Sequence, residues 1–328
     1  MRIRIIFFVA VSALIFNGCS LPKMKLFSNS PEPLRQFTLQ GTEKGKVLVI
    51  TVNGMISDSP KKGLIRSEPD AVQTIVSQLR LAEEDDEIKA VVLKIDSPGG
   101  TVTASDILYH EITAFKERTK IKLVAVMMNL ATSGGVYIAL PADCIIAHPT
   151  TVTGSVGVLL VRPRADKLME KIGLDVGVIK SGKNKDMGSP FRKPSEEEQK
   201  IIQGMIDNLA QRFLNLVEKH RKIDKNALAE ISSARIYIAG EAQKMGLIDE
   251  IGYLNDAISK AKSLAELPDD AKVVVYRQTE YPDDNIYNSS LSKYSAGQVS
   301  LVNTGLANAL IPPDAGFYYL WMPGTGKY

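Results

Sequence analysis

The stretch Ala90-Val-Val-Leu-Lys-Ile95, followed directly by Asp96-Ser-Pro-Gly-Gly100, has the composition of a buried strand that ends in a tight turn. Two similar runs, Val47–Val52 and Lys122–Met127, lie before and after it. Apolar residues at helical spacing separate the three runs, as in Ala104–Phe115. Because strands and helices alternate in this way, we predict an α/β fold in which helices cover a mainly parallel sheet.

The N-terminus has the layout of an export signal. Residues 1–18 contain two arginines, no acidic residue and the apolar run Ile5–Phe16, which is shorter than the roughly 20 residues that a membrane-spanning helix needs. Cys19 follows a small residue, as in a bacterial lipobox, although Phe16 and Asn17 do not fit that motif. We expect residues 1–18 to be a signal peptide and Cys19 to carry a lipid. An uncleaved signal anchor and ordinary cleavage nearby remain alternatives.

Composition divides the rest of the chain into three parts. Residues 19–45 are rich in Ser, Pro, Lys and Gln and predict a tether, and residues 46–277 carry the alternating pattern of a folded domain. Residues 278–328 predict a partly flexible tail, but its apolar end, Phe317–Met322, is expected to dock somewhere.

Charge and cysteine content exclude some classes of protein. The chain has 40 Lys and Arg against 37 Asp and Glu and only 6% aromatic residues, so nothing indicates a surface for nucleic acid.

If Cys19 is acylated, Cys144 is left without a disulfide partner. The protein must then be held together by its core, which 45% apolar residues can supply.

The second half of the domain continues the alternation. We predict strands at Ser155–Val161 and Asp175–Lys180 and a helix near Ala165–Ile172. A longer helix is expected to begin at Ser195, a plausible N-cap followed by three glutamates. One apolar stripe along this helix is wide enough to pack against another surface, including another subunit.

Four short motifs follow predicted strands, where open α/β sheets tend to place ligands. Asp96–Gly100 could expose backbone N–H groups, Ser133-Gly-Gly135 presents a small nucleophile, and Thr153-Gly-Ser-Val-Gly157 adds a second hydroxyl. Ser181-Gly-Lys-Asn-Lys-Asp-Met-Gly-Ser-Pro190 supplies a candidate base, Lys185. Taken singly, each motif is most simply a turn or a solvated lysine. The evidence for a catalytic site is the order and spacing of the four motifs.

The order and spacing of these motifs resemble the bacterial signal peptide peptidase A family, membrane-associated serine peptidases that use a Ser-Lys pair. The resemblance spans roughly residues 46–265, and the run that contains Lys185 is its most specific part. It implies a Clp protease/crotonase-type fold, a spiral of ββα units. Residues 46–277 are then expected to form a Ser-Lys peptidase domain.

The resemblance also implies roles for individual residues. Ser133 is the expected nucleophile, and Lys185, 52 positions later, is the expected general base. Ser155 is expected to orient the lysine, and the backbone N–H groups of Gly100 and Gly134 to form the oxyanion hole. No metal or organic cofactor is implied.

A lysine base must satisfy a physical condition. A free lysine has a pKa near ~10.4, so it accepts a proton near neutral pH only if burial favours its neutral form. The carboxylate of Asp186 would oppose this, and we expect it to point away from the amine of Lys185. The rival base is a histidine, and the chain has three: His110, His148 and His220.

We therefore predict a membrane-tethered endopeptidase that hydrolyses short apolar peptides, such as cleaved signal peptides, through an acyl-enzyme. It is expected to form a homo-oligomer, with Ser133 and Lys185 meeting within one chain or across two. The lipid or signal anchor would hold it in the cell envelope, with the catalytic domain on the extracytoplasmic side. Two alternatives are an acyl-CoA hydratase or isomerase on the same fold and a catalytically idle envelope scaffold. The end of the tail, Phe317–Met322, could occupy the substrate groove as an internal peptide mimic.

Overall fold

A mostly parallel β-sheet forms the centre of the fold in the computed structural model, which describes residues 33–59, 61–62, 67–68, 70–288 and 316–321. The strands of the described residues are β1 (Arg35–Gln40), β2 (Glu43–Asn53), β3 (Lys61–Lys62), β4 (Ser67–Glu68), β5 (Ile88–Ser97), β6 (Gly99–Thr101), β7 (Lys122–Thr132), β8 (Cys144–Ala147), β9 (Val152–Gly154), β10 (Leu159–Val161), β11 (Ile236–Ile238), β12 (Glu250–Ile251), β13 (Ala271–Arg277) and β14 (Gly316–Leu320). The helices are α1 (Ala71–Glu84), α2 (Val102–Thr119), α3 (Gly134–Ala139), α4 (Asp166–Ile172), α5 (Glu196–His220), α6 (Lys225–Ile231), α7 (Ala239–Lys244) and α8 (Leu254–Leu264), with a short 3-10 helix at Ile286–Asn288.

The main sheet has the strand order β1-β13-β2-β5-β7-β8-β12, and β9 joins the end of β7 and pairs with β11. Strands β13, β2, β5, β7, β8 and β12 run parallel, whereas β1 is antiparallel to β13. Parallel strands need crossover connections, which the helices between them supply. The expected α/β class is confirmed.

The continuous apolar runs of the strands reflect burial on both faces. In β2, Leu48 and Ile50 belong to the cluster that includes residues of α1, α2, α3 and α5, while Val47 and Val49 pack on the other side with α8. All four side chains are fully buried. A strand covered on both faces has no polar side, which is why no alternation appears in the sequence.

The long helix α5 begins as predicted. The Ser195 hydroxyl accepts a hydrogen bond from the backbone N–H of Glu198 (3.1 Å), and a Glu198 carboxylate oxygen accepts one from the backbone N–H of Ser195 (2.7 Å). This reciprocal capping pairs two of the N–H groups that a helix start leaves without partners.

One predicted boundary and two predicted strands differ from the structure. The predicted tether ends earlier than residue 45, because residues 35–40 form β1 and residue 43 begins β2. Edge strand β1 is only half buried and lacks an apolar run, but pairing with β13 supplies its backbone hydrogen bonds. Asp175–Lys180 forms no strand in the described part of the chain, and of Ser155–Val161 only Leu159–Val161 is a strand. The expected signal peptide and Cys19 lie outside the described residues.

The end of the tail docks, as expected. Residues 316–320 form β14, the central strand of a three-stranded sheet between β10 and β6. The strand is antiparallel to both neighbours. None of the helices in the described part of the chain has the length and apolar run needed to cross a bilayer.

Candidate active site

Ser133 lies at a strained turn between β7 and α3. Its backbone has φ 53° and ψ −112°, an uncommon conformation for a residue other than glycine. Such strain costs of order 1–3 kcal/mol and persists only where surrounding contacts hold it. Here the Ser133 N–H donates to the Gly154 carbonyl (2.8 Å), and the Tyr137 N–H donates to the Ser133 carbonyl (3.0 Å). The turn thereby fixes the direction of the Cα–Cβ bond of Ser133.

The hydroxyl of Ser133 is buried but unpaired. The residue is 1% exposed, and its Oγ has no hydrogen-bond partner among the described residues. Leaving a buried polar atom without a partner costs about 1–3 kcal/mol, so the site calls for a further group beside this oxygen.

Two glycine backbones meet next to Ser133. A side-chain carbon on Gly100 would collide with the carbonyl of Ile56. One on Gly134 would lie 2.5 Å from Ser105 Oγ and 3.1 Å from Gly100 N. Only residues without a side chain fit this close approach, which brings the backbone N–H groups of the β6 strand and the α3 helix together.

Strand β14 lays a peptide carbonyl against these glycines. Tyr319 is paired with Gly100, and the Trp321 N–H donates to the Pro98 carbonyl (2.9 Å). In an antiparallel ladder this pattern directs the Gly100 N–H at the Tyr319 carbonyl. A side-chain carbon on Gly99 would collide with that carbonyl oxygen and would lie 2.8 Å from Gly134 N. A peptide can therefore be bound in this groove as a strand, with a carbonyl that faces the Gly100 N–H.

Ser155 lies beside the same turn. Strand β9 pairs with the end of β7, with Thr132 opposite Gly154, and so fixes the residue that follows. Ser155 also has a positive φ of 53°, and its N–H donates to the Arg235 carbonyl (2.8 Å). Its hydroxyl has no hydrogen-bond partner in the described part of the chain. The fold thus brings together Ser133, Ser155, Gly100 and Gly134.

Lys185 is not part of this cluster within one chain. It lies on the segment between α4 and α5, residues 173–194, which we call the arm. Residues 170–185 are all exposed, Lys185 included. Because the Ser133 hydroxyl has no partner among the described residues, the predicted contact with Lys185 does not form within this chain.

The arm nevertheless holds Lys185 in a defined loop. Asp186 accepts hydrogen bonds from Lys180 Nζ (2.6 Å) and Arg192 Nε (2.8 Å), and Arg192 Nη1 donates to Glu198 Oε2 (2.9 Å). The guanidinium of Arg192, followed by the ammonium of Lys180, holds the pKa of Asp186 well below its usual range. Arg192 likewise lowers the pKa of Glu198, to about 2. The Asp186 carboxylate therefore faces Lys180 and Arg192, as expected.

The histidines make other contacts. The His148 ring contacts Thr150 Oγ1 (2.9 Å), the His220 ring contacts the Tyr109 hydroxyl (2.8 Å), and His110 is exposed. Within the described residues no histidine bonds to Ser133. The same part of the chain contains no group of three or more His, Cys, Asp or Glu residues that could hold a metal ion.

Sequence reasoning missed an aromatic cluster beside Ser133. The ring of Tyr319 stacks on Tyr137 and contacts Phe213, with ring centroids 4.9 Å apart in each pair. Tyr137 follows Ser133 by four residues, one helical turn, which was the available signal. Phe213 and Tyr319 come from distant segments, and no local pattern links them.

Comparisons with known proteins identify the family. The profile of peptidase family S49 matches residues 115–268, and that of Clp protease matches residues 65–151. A putative signal peptide peptidase SppA of Enterococcus faecium is 37% identical over 253 residues, which cover 77% of this chain and 73% of the relative. A putative protease of Synechocystis is 36% identical over 225 residues, covering 69% of this chain and 76% of the relative.

A third relative is described as a serine protease. The chloroplastic serine protease SPPA of Arabidopsis thaliana is 31% identical over 247 residues, which cover 73% of this chain and 36% of that protein. The family matches, together with the coverage of the two bacterial relatives, identify the chain as a member of peptidase family S49, a serine endopeptidase with a Clp protease-like α/β fold.

Proposed function

We propose that Ser133 is the nucleophile and that Lys185 of a neighbouring copy of the chain is the general base. One observation carries this proposal: the buried Ser133 hydroxyl has no partner among the described residues, and it lies beside Gly134 and near Gly100, which pairs with Tyr319 of β14. Everything needed to bind and polarise a peptide carbonyl comes from one chain, and the missing element is a base.

The reaction then follows from the residues around the carbonyl. The neutral Lys185 amine takes the Ser133 proton as Oγ bonds to the carbonyl carbon, and the resulting oxyanion is stabilised by the N–H groups of Gly100 and Gly134. The protonated lysine returns the proton to the leaving amine as the C–N bond breaks. Water, deprotonated by the same lysine, then hydrolyses the acyl-enzyme. In this proposal the Ser155 hydroxyl holds the incoming amine.

The arm is the segment that would deliver Lys185 to a second copy. Three of its apolar residues are exposed within one chain: the relative accessible areas are 54% for Leu174, 51% for Val178 and 104% for Ile179. Exposed apolar residues in succession mark an interaction surface. A second copy is the partner that this argument favours, because the Ser133 site is incomplete and the arm carries the group it lacks. Burial of an amine in such an interface favours its neutral form.

The groove between β6 and β10 suggests the substrate. A peptide bound there must be extended, because it pairs with a strand on each side, as β14 does. A folded protein cannot enter as a central strand, whereas a released signal peptide can. The E. faecium relative is named for that substrate class, and we propose short apolar peptides for this chain as well.

The N-terminal sequence suggests where the enzyme acts. Export followed by acylation of Cys19 would tether the domain to a membrane of the cell envelope, on the extracytoplasmic side. Two lipid-independent outcomes are an uncleaved anchor and cleavage near residue 19. Mass spectrometry of the mature N-terminus distinguishes the three, since only acylation adds the mass of lipid chains to Cys19.

A peptidase assay with matched variants tests the mechanism. Cleavage of a fluorogenic apolar peptide should be lost in both Ser133→Ala and Lys185→Ala. Lys183→Ala is the control, because this neighbouring lysine pairs with Glu197 at the surface and should retain activity. Equal activity in the wild type and the first two variants would contradict the Ser-Lys pair. Absence of cleavage by any form would favour an idle scaffold.

A further inference from the structure

The hydroxyl of Ser97 is enclosed by the turn that leads to Gly100. Ser97 is the last residue of β5 and is fully buried. Its Oγ accepts a hydrogen bond from the backbone N–H of Gly99 (3.1 Å) and donates a longer one to the Gly99 carbonyl (3.4 Å). One side chain therefore binds both backbone polar groups of the residue that precedes Gly100.

The loop after β2 holds the same peptide from the backbone. The Ile56 N–H donates to the Gly99 carbonyl (2.8 Å), and the Thr101 N–H donates to the Ile56 carbonyl (3.0 Å). The peptide between Gly99 and Gly100 is trans, so its C=O and N–H groups point in opposite directions. Because the carbonyl faces Ile56, the Gly100 N–H faces the groove, where Tyr319 of β14 pairs with it.

A peptide between two glycines turns easily. Gly99 has φ 102°, in the region that favours glycine, and neither glycine has a side chain that would restrain the peptide plane. A half-turn of this plane would direct the Gly99 carbonyl oxygen into the groove, where it would repel a negative charge. Contacts from outside the peptide must therefore select its orientation. The Ile56 N–H and the Ser97 hydroxyl make such contacts, and the hydroxyl can be removed by substitution.

We propose that Ser97 is a positioning residue whose hydroxyl fixes the Gly99–Gly100 peptide with the Gly100 N–H directed into the groove. This rests on the proposed roles of Ser133 and Gly100. Ser97 itself touches neither substrate nor oxyanion, and it acts through the peptide that it holds. A donor that already points at the developing charge needs no reorientation during the reaction, which is where an oxyanion hole gains its effect.

This role predicts a change in kcat rather than in KM. The oxygen of the scissile carbonyl carries its full negative charge only in the tetrahedral state, so an N–H directed at it stabilises that state more than the bound substrate. Loss of one oxyanion donor costs about 10²–10³-fold in kcat. Removal of the Ser97 hydroxyl frees the donor without deleting it, and we expect a smaller loss, about ten- to hundredfold.

The test uses Ser97→Ala in the full-length protein with a fluorogenic apolar peptide. We expect kcat to fall about ten- to hundredfold and KM to stay within about twofold of the wild type. A peptide aldehyde, which forms a tetrahedral adduct with a serine hydroxyl, should lose affinity by the same factor as kcat/KM. The matching peptide carboxamide, whose carbonyl stays planar, should bind the variant and the wild type equally.

Thr119→Ala is the matched control. The Thr119 hydroxyl also accepts a hydrogen bond from the N–H two residues later, that of Ile121 (3.2 Å), but it lies before the start of β7, whereas Ser133 follows the end of that strand. This variant should keep the kcat and the aldehyde affinity of the wild type.

The aldehyde separates positioning from stability. Partial unfolding lowers the concentration of active enzyme, and hence the apparent kcat, but it leaves the inhibition constant of the aldehyde unchanged. An unchanged kcat in Ser97→Ala, or a lower kcat without a matching loss of aldehyde affinity, would overturn the role of Ser97 and leave the proposed nucleophile standing. Cleavage that persists in Ser133→Ala would instead refute the proposed nucleophile.

Discussion

The turn at Ser133 and the arm that carries Lys185 are built in opposite ways. Ser133 is 1% exposed, and backbone hydrogen bonds to β9 and α3 hold its strained conformation. Residues 170–185 are all exposed, and the loop around Lys185 is held by two ion pairs within the arm and by one between Arg192 and Glu198 of α5. One region is fixed by the core, and the other keeps its shape without a core of its own.

This difference is what we expect if the two halves of the proposed site come from different chains. A nucleophile and an oxyanion hole need positions accurate to a fraction of an ångström, and a packed turn provides them. A base that comes from another chain must instead project outward on a segment that is ordered before it docks. The ion pairs of Asp186 and Arg192 provide such order at the surface.

Mixed assemblies give the largest expected effect. Ser133→Ala and Lys185→Ala should each lower kcat at least about 10³-fold, as loss of a nucleophile or its base does in serine peptidases. If the two halves come from different chains, assemblies formed from both variants together contain some sites with an intact Ser133 and an intact Lys185. Co-assembled variants should therefore recover a measurable fraction of wild-type activity.

The control for this recovery is the double variant Ser133→Ala/Lys185→Ala mixed with either single variant, which leaves every site without one of the two groups. Activity that stays absent in the mixed single variants, although subunits are seen by native mass spectrometry to co-assemble, would mean that both groups act within one chain.

Loosening the arm should have the next largest effect. Arg192→Ala removes the bonds to Asp186 and to Glu198, so the loop around Lys185 loses its support. A displacement of about 1 Å can cost up to 10²-fold in rate, and we expect a loss of kcat approaching that size. Arg164→Ala, which breaks another exposed arginine pair, with Asp166, should leave kcat near that of the wild type.

The same ion pairs determine the pH below which the arm loses its support. Arg192 holds the pKa of Glu198 at about 2, below its ordinary value of 4.5, so this stabilisation is complete above pH 4.5. It is lost as the pH falls through about 2, because the protonated acid no longer pairs with the guanidinium. After correction for the intrinsic exchange rates of the amides, hydrogen exchange of the arm should thus be constant from neutral pH down to pH 4.5, the ordinary pKa of a glutamate. Loosening already at pH 6 would contradict this assignment.

Charging the apolar face of the arm tests the interface. Ile179→Asp places a carboxylate on a fully exposed apolar residue, and if that residue is buried between copies it should cost roughly 2 kcal/mol, or about 30-fold in the association constant. Sedimentation velocity would measure the shift to smaller species. Ile238→Asp, at a residue 60% exposed on β11, makes the same change elsewhere and should not alter assembly.

Release of the docked strand should have the smallest effect, and in the opposite direction. Removal of residues 289–328 should raise kcat/KM several-fold, because β14 no longer competes with substrate for β6 and β10. A cut after Gln278 is less suitable, since Arg277 is 1% exposed and relies on Asp284 and the Asn288 carbonyl as partners. Tyr319→Ala in the full chain should raise activity in the same direction. Unchanged kinetics in both variants would exclude a competing tail.

Local rules predicted much of the fold. The strand runs at Val47–Val52 and Ala90–Ile95 and the capped start of α5 at Ser195 all form as expected, because apolar runs and capping residues act over a few positions. Strand β1 was missed because its sequence is polar, and only its partner β13 gives it a strand conformation. Asp175–Lys180 has the composition of a strand but no partner among the described residues, so composition alone could not predict its conformation.

By itself, the sequence determined the central strands and the long helix, which turns carry Ser133, Ser155, Gly100 and Gly134, and which family they resemble. Those properties depend on residues close together in the chain, where propensity, capping and glycine geometry apply. Tertiary structure alone decided that Tyr319 stacks on Tyr137, that β14 lies in the groove, and that Lys185 stays apart from Ser133 within one chain. These contacts join segments tens to hundreds of residues apart, and only packing of the folded chain sets such distances.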